Sequence, residues 1–381
     1  MAVAIITNLF RVHTPATRLR SSNLCSLRRS TRRYRRASFA YSLAFLDTKS
    51  IDPVKVDKEA NRIRNLLACP ICYDSLTWTG DPAFSVDSTP GSCLQCSTCM
   101  KTFVGNEAYI DLTTANGAKS YGEPMPASTE LFRVPLVSFL YERGWRQAFS
   151  VWGGFPGPEK EFELMKDFLR PVMGGNIIDA SCASGLFSRL FAKSGLFSSV
   201  VALDYSENML QQCYEFIKQE ENFPKENFIL MRADISRLPF VSSSVDAVHA
   251  GAAIHCWPSP SAAVAEISRV LRPGGVFVAT TYILDGPFSF FPFLRELRQL
   301  FHAWDLLTFI FQSCTSFYLH ALQLACDLDM DVNHKTLKQV SGSCISLSER
   351  ELEDLCRGCG LVRFSCIRNG LFVMFSAAKP S

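Results

Sequence analysis

The sequence predicts an α/β chain. A doubly wound, mostly parallel seven-stranded sheet ends in an antiparallel hairpin, and a small cysteine-rich module precedes it. Three observations carry this. Between residues 174 and 282, short apolar runs alternate with helix-length stretches, and parallel crossovers require an intervening helix. Near the end of the chain, Asn369-Gly370 separates two apolar runs, a strong hairpin signal. Finally, Cys69-Pro-Ile-Cys72 is followed by Cys96-Ser-Thr-Cys99, the spacing of a tetrahedral metal site.

With 381 residues, the chain suits one large domain joined to a small one. Its 48% apolar and 20% charged residues exclude a wholly disordered, collagen-like or coiled-coil chain. The formal charge of +3 hides a division. Residues 1–46 hold nine arginines and no Lys, Asp or Glu, which leaves 30 basic against 36 acidic residues, a net of −6, in the rest. A chain-wide basic footprint for nucleic acid is thereby excluded. The Arg- and Ser-rich start predicts that residues 1–55 are a disordered transit peptide for a chloroplast, or else a mitochondrion. A basic RNA- or lipid-binding arm is the alternative.

The module at 66–112 comes next. Each C-x-x-C turn brings two thiolates together, and the second pair closes a tetrahedron that leaves no place for water. Cys69, Cys72, Cys96 and Cys99 are the expected ligands of a structural zinc. Cys93 competes with Cys99, since it too is separated from Cys96 by two residues. From Lys101 to Leu112, alternation around Gly105-Asn106 predicts a short hairpin. Residues 113–128, rich in Thr, Ser, Gly and Pro, read as a linker.

Leading helices are expected over 129–173. One lies within 130–150 and breaks near Pro135 and Gly144; another opens at Pro158 and runs to about Leu169. The core follows over 174–299 and 341–381. Strands are expected at 176–180, 199–204, 227–232, 244–250 and 276–282, with helices at 186–194, 208–220 and 261–271. Ser348 to Glu351 forms a capping box, and Gly360 ends that helix. An apolar insertion lies near 301–338. Leu306–Cys326 has 21 residues without Asp, Glu, Lys or Arg; it reads as a lid or interfacial segment, a membrane span, or a translated intron.

Ligands of such sheets bind outside the carboxyl ends of the strands. The polar residues there are Asp179, Asp204, Asp234 and the stretch 251–257. Asp204 stands 19 residues beyond Gly185 and ends the second strand, where an acid bonds ribose hydroxyls. No Gly-x-x-x-x-Gly-Lys loop is present, which points to a nucleoside without phosphates.

These residues resemble the class I S-adenosylmethionine-dependent methyltransferases, of Rossmann-like fold, in the branch that methylates ubiquinone and menaquinone. Asp179-Ala-Ser-Cys-Ala-Ser-Gly185 stands where that family has its acid-x-Gly-x-Gly-x-Gly loop. Leu203–Leu210, Arg232–Phe240, Ser244–His249 and Glu266–Gly275 match its later motifs in order. With the transit segment and ribbon, the chain is similar to plant plastoglobule-associated methyltransferases. The resemblance implies that Asp179 and the 181–185 backbone, including Ser181, Ala183 and Gly185, face the methionine part of the cofactor. It implies that Asp204 takes the ribose hydroxyls, that Tyr205 packs on adenine, and that Asp234 and Ile235 form the adenine pocket. His255, on the substrate side, is the candidate base, with His249 a second. Phe155, Trp152, Trp257 and Phe288–Phe293 are candidates for an apolar acceptor pocket.

Ser181 and Ala183 depart from the family's glycines. Alanine at a site that needs positive φ costs of order 1 kcal/mol or more. The implied function is methyl transfer in the plastid to a small lipophilic acceptor such as a prenylquinone or phenolic, with association to a lipid droplet or membrane surface. Two alternatives stand beside it: methylation of guanine in large-subunit rRNA, which the net charge of −6 disfavours, and a non-enzymatic scaffold.

Overall fold

A computed structural model describes residues 66–79, 93–113, 132–146, 154–283 and 347–381. The expected transit peptide, the 301–338 insertion, linker residues 114–128, Trp152 and Phe288–Phe293 lie outside the described residues. Among the described residues, no helix is long and apolar enough to cross a membrane.

The ribbon is a three-stranded antiparallel sheet of β1 (Leu76–Thr79), β2 (Cys93–Cys96) and β3 (Thr102–Val104). After Asn106, whose side chain caps the amides of Ala108 and Tyr109, the chain turns as expected. The second arm does not complete a hairpin. Gly105 and Ile110 form a single bridge, and β4 (Ile110–Asp111) then leaves the ribbon.

The leading segment contains α1 (Pro135–Leu140), followed by a wide turn over Tyr141–Trp145 that breaks at Gly144, where φ is 156°. Next is α2 (Pro158–Leu169), opened by Pro158 and ended by the tighter turn Arg170–Val172. The core runs β5 (Asn176–Ala180), α3 (Leu186–Ser194), β6 (Ser199–Asp204), α4 (Glu207–Gln219), β7 (Phe228–Arg232), β8 (Val245–Gly251), α5 (Pro260–Val270) and β9 (Leu271–Tyr282). It closes with α6 (Glu349–Gly358), β10 (Val362–Asn369) and β11 (Phe372–Ala378). The expected capping box is present at Ser348 and Glu351.

The main sheet has the order β10-β11-β9-β8-β5-β6-β7-β4. Strands β4 to β9 pair in parallel, and β11 is antiparallel to both β9 and β10. The sheet therefore has eight strands rather than the seven expected. The eighth is β4, which pairs Ile110 with Met231 and Asp111 with Arg232. Two residues are too short a run to signal a strand; the open edge of β7 recruits them.

Side chains alternate across the sheet into two cores. On one face, Ile177, Val200, Leu230 and Val278 pack under α2, α3 and α4. On the other, Ile178, Val201, Met231 and Phe277 pack under α5, α6 and the ribbon. The β7–β8 connection has no helix, and Leu66, Leu67, Leu94, Phe103 and Leu112 of the ribbon cover that part of the face. The described residues, from Leu66 to Ser381, belong to one compact unit.

Candidate active site

At the carboxyl end of β5 the chain turns through Ser181, Cys182, Ala183 and Ser184 into α3. Ser181 (φ 60°), Ala183 (φ 50°) and Gly185 (φ 80°) are all left-handed. The two non-glycine residues take the conformation that glycine would supply, at roughly 1 kcal/mol or more each. Gly185 is bound to its identity twice over, because a Cβ there would also stand 2.2 Å from Cys213 Sγ. The loop is held from several sides. Cys182 N donates to Leu203 O at 2.9 Å, and Trp257 Nε1 donates to Ser181 Oγ at 2.9 Å. Ala183 N donates to Asp204 Oδ2 at 2.8 Å.

Asp204 ends β6 and also accepts from Ser206 N at 2.8 Å. Its carboxyl is pushed up to about 6, by burial first, with the Ser206 and Ala183 amides opposing. Above it opens a cleft. Ser181, Ala183, Asp204, Tyr205, Asp234 and Ile235 all line this cleft, so the structure gathers six of the expected cofactor-binding residues in one place.

Asp179 sits elsewhere. It is buried, and its carboxylate is bonded by Ser188 Oγ and by His249 Nδ1 at 2.7 Å. It faces a smaller adjoining pocket, which shares Tyr141, Ser181, Ala183 and Gly251 with the cleft. His249 is fully buried between Phe187 and Phe191, with ring centroids at 5.0 and 5.2 Å, and does not reach the cleft. His255 stands behind the cleft wall formed by its neighbours Ala253, Cys256 and Trp257. Its ring lies 4.5 Å from that of Tyr282, and burial lowers its titration to about 4. It is therefore neutral near pH 7 and packed rather than presented. Trp257 lines the cleft, whereas Phe155 packs on Phe372 at 4.9 Å in the core.

The leading segment supplies site residues that carried no motif. Phe132 and Tyr141 form one wall of the cleft. Glu142 accepts from Ser184 Oγ at 2.5 Å and from Arg189 Nη2 at 2.6 Å, which ties this segment to the 181–185 loop and to α3. Arg146 is buried beside Glu161, with a bond of 3.1 Å, and its guanidinium lies 5.0 Å from the centre of the Phe187 ring. It faces the smaller cavity, and its Nε has no hydrogen-bond partner among the described residues. A sequence signal existed: Glu142, Arg143 and Arg146 interrupt an apolar helical pattern.

The four expected metal ligands converge. The Sγ atoms of Cys69, Cys72, Cys96 and Cys99 all lie within 4.8 Å of one another, with Cys69–Cys99 at 3.6 Å and Cys72–Cys96 at 3.3 Å. A tetrahedron with ~2.3 Å zinc–sulfur bonds has edges of about 3.8 Å, so the donor set fits. The amides of Ile71 and Thr98 each point at a ligand sulfur, at 3.4 Å. Cys93 stands on β2 opposite Val104 and outside the cluster, whereas Cys99 lies within it.

Comparison with known proteins agrees with this geometry. A profile for a methyltransferase domain matches residues 178–279, from β5 to β9. A chloroplastic methyltransferase of Arabidopsis thaliana is 59% identical over 334 residues, covering 87% of this chain and 84% of that one. A second chloroplastic methyltransferase of the same plant is 41% identical over 338 residues, covering 88% and 83%. A demethylmenaquinone methyltransferase of Staphylococcus aureus is 33% identical over 144 residues, covering 38% and 51%. Fold and site define an α/β methyltransferase with a cleft at the carboxyl ends of its parallel strands. The chain belongs to the S-adenosylmethionine-dependent methyltransferases.

Proposed function

We propose that the cleft binds S-adenosylmethionine and that the chain methylates a small lipophilic acceptor, of the prenylquinone class, in the chloroplast. The observation that carries the cofactor reading is the position of Asp204. One carboxylate both fixes the 181–185 loop and lines the cleft between Tyr205 and Asp234. When bound, the cofactor supplies a methyl group already activated on a sulfonium. Asp204 would hold its ribose, Asp234 and Ile235 its adenine, and the 181–185 amides with Arg146 its amino-acid end. Ala183 already holds the left-handed φ in which its amide meets Asp204, so the departure from glycine does not by itself open the site.

The remaining work is to bring the acceptor into line with the methyl group and to exclude water. Phe132, Tyr141, Ala253, Trp257 and Pro258 make the cleft largely apolar, which suits an aromatic or prenylated acceptor better than a phosphate-bearing one. His255, neutral near pH 7 and bonded by Thr281 Oγ1 at 3.4 Å, is not presented as a base. An acceptor that enters as a phenolate has already lost its proton and needs none.

The likeness to a demethylmenaquinone methyltransferase supports the quinone class. The plastid reading rests on the Arg- and Ser-rich start and on relatives named as chloroplastic. We further propose a place at the plastoglobule surface, from the resemblance to plastoglobule-associated methyltransferases. The four cysteines would hold a structural zinc, which braces the ribbon.

Full-length protein given methyl-labelled S-adenosylmethionine and a panel of prenylquinols and phenolics tests the reading. Label should enter the organic extract. Label that enters only RNA would contradict it.

A further inference from the structure

We propose that Arg237 is a positioning residue that couples the four-cysteine cluster to the nucleoside end of the cleft. The proposal rests on the cofactor reading given above.

The segment after β7 has two faces. On one, Ala233, Asp234 and Ile235 line the cleft. The segment then turns sharply: Asp234 Oδ1 accepts from Ser236 N at 2.9 Å and from Ser236 Oγ at 2.7 Å, and Arg237 N donates to Asp234 O at 3.0 Å. The turn sends the Arg237 side chain away from the cleft and into the ribbon. Its Nε donates to Pro70 O at 2.8 Å and its Nη2 to Ile71 O at 2.9 Å. Pro70 and Ile71 are the two residues between Cys69 and Cys72. The guanidinium thus reads the carbonyls of a turn whose shape the metal would set, while three residues back the same turn presents Asp234 to the ligand.

Neighbouring contacts stiffen this link. Ala68 N donates to Pro239 O at 2.9 Å, and Val241 N to Leu66 O at 2.8 Å. Arg237 and Arg269 both lie over the ring of Tyr73, at 5.6 and 4.3 Å. A second arm of the ribbon reaches Tyr205. Asp111 on β4 bonds Arg232 at 3.0 Å; Arg232 Nε donates to Tyr205 O at 3.1 Å, and its guanidinium lies 5.2 Å from the Tyr205 ring centre. The ribbon therefore grips the turn that carries Asp234 and also Tyr205, a second residue of the cleft lining.

With the cysteines closed on a metal, the Pro70 and Ile71 carbonyls are fixed and Arg237 holds the Asp234 turn. With the cluster open, both charge-assisted bonds lose their geometry and the adenine wall relaxes. A coupling of this kind is reciprocal: ligand in the cleft must tighten metal in the cluster by the same factor.

The test uses the full chain, with S-adenosylhomocysteine and its 6-oxo analogue S-inosylhomocysteine as probes. Removing metal with a chelator should weaken S-adenosylhomocysteine about tenfold, within the usual span of coupling energies. Saturating S-adenosylhomocysteine should raise metal affinity, read by chelator competition on the folded, loaded protein, by the same factor. Arg237→Gln, fully metal-loaded, should lose the preference for S-adenosylhomocysteine over the 6-oxo analogue. Loss of general stability would instead weaken both ligands alike. Metal affinity indifferent to S-adenosylhomocysteine, or an Arg237→Gln variant with unchanged preference, overturns the coupling. Should the stripped chain unfold, the chelator competition still decides. No binding of either nucleoside by the loaded wild-type chain overturns the cofactor reading itself, a result distinguishable from binding that ignores the metal.

Discussion

Asp204 and Ala183 meet at 2.8 Å, carboxylate to amide, across the gap between β6 and the loop after β5. The bond joins the group expected to take the ribose to the residue that departs most from the family's glycine pattern. It accounts for a loop that keeps its shape without two of its glycines, and most of the predictions begin from it.

The Asp204 carboxyl titrates at about 6 because burial outweighs the amides that bond it. Ribose hydroxyls donate to the ionised form. Affinity for S-adenosylhomocysteine should therefore be full at about pH 8 and fall as pH drops through about 6. Ligand-free stability moves the opposite way. A carboxyl raised above its unfolded value of about 3.9 contributes fully below that value, and the contribution is lost as pH rises through about 6. Calorimetric titrations and thermal melts across this window should show opposite slopes. Affinity that rises on acidification would contradict the assignment.

Ala183→Gly removes a methyl group from a left-handed residue (φ 50°) and adds backbone freedom to the unfolded chain. The two effects nearly cancel, so stability should change by less than about 1 kcal/mol. Affinity for S-adenosylhomocysteine should stay within about threefold, or about 0.7 kcal/mol. A wild-type chain that binds nothing until glycine is restored would show that the alanine has disabled the site.

Glu142 holds the leading segment onto Ser184 and Arg189. Removing one partner of such a charged bond costs about 1.5–3 kcal/mol. Arg189 keeps a second partner in Glu220, at 2.8 Å, which softens the loss for the fold. Glu142→Ala should accordingly weaken S-adenosylhomocysteine by about tenfold or more, with faster amide exchange over 132–146 and little change elsewhere. Unchanged exchange in that segment would show that the latch does not hold it.

The cysteine cluster separates two similar candidates. Cys99→Ser should lower metal content and lower the melting temperature; Cys93→Ser should change neither, because only Cys99 lies with the other three sulfurs. Elemental analysis of the purified variants reads this directly. Metal lost from the Cys93 variant and kept by the Cys99 variant would reverse the ligand assignment.

The strands, the hairpin at Asn369-Gly370 and the four thiols were legible because each depends on local chemistry: apolar period, turn residues and ligand spacing. So was the row Asp204, Tyr205, Asp234 and Ile235, since strand ends in a parallel sheet share one edge. What stayed hidden depends on tertiary contact. Nothing near Ile110 marks it as an eighth strand, because β7 creates that strand by offering an open edge. His249, two positions before the end of β8, read as a site residue, yet it is fully buried and bonds Asp179 from the core side. Arg146 carries no motif, and Arg237 lies within the Arg232–Phe240 motif with no role assigned there; their meaning comes from Phe187 and Glu161 in one case and from two ribbon carbonyls in the other.

The most direct test of the central claim is calorimetric titration of S-adenosylhomocysteine into the metal-loaded chain, with Asp204→Ala measured beside it. The account predicts micromolar binding to the natural sequence, about −8 kcal/mol, and none detectable for the variant. A natural chain that binds no S-adenosylhomocysteine, or a variant that binds as well as the natural chain, would contradict it.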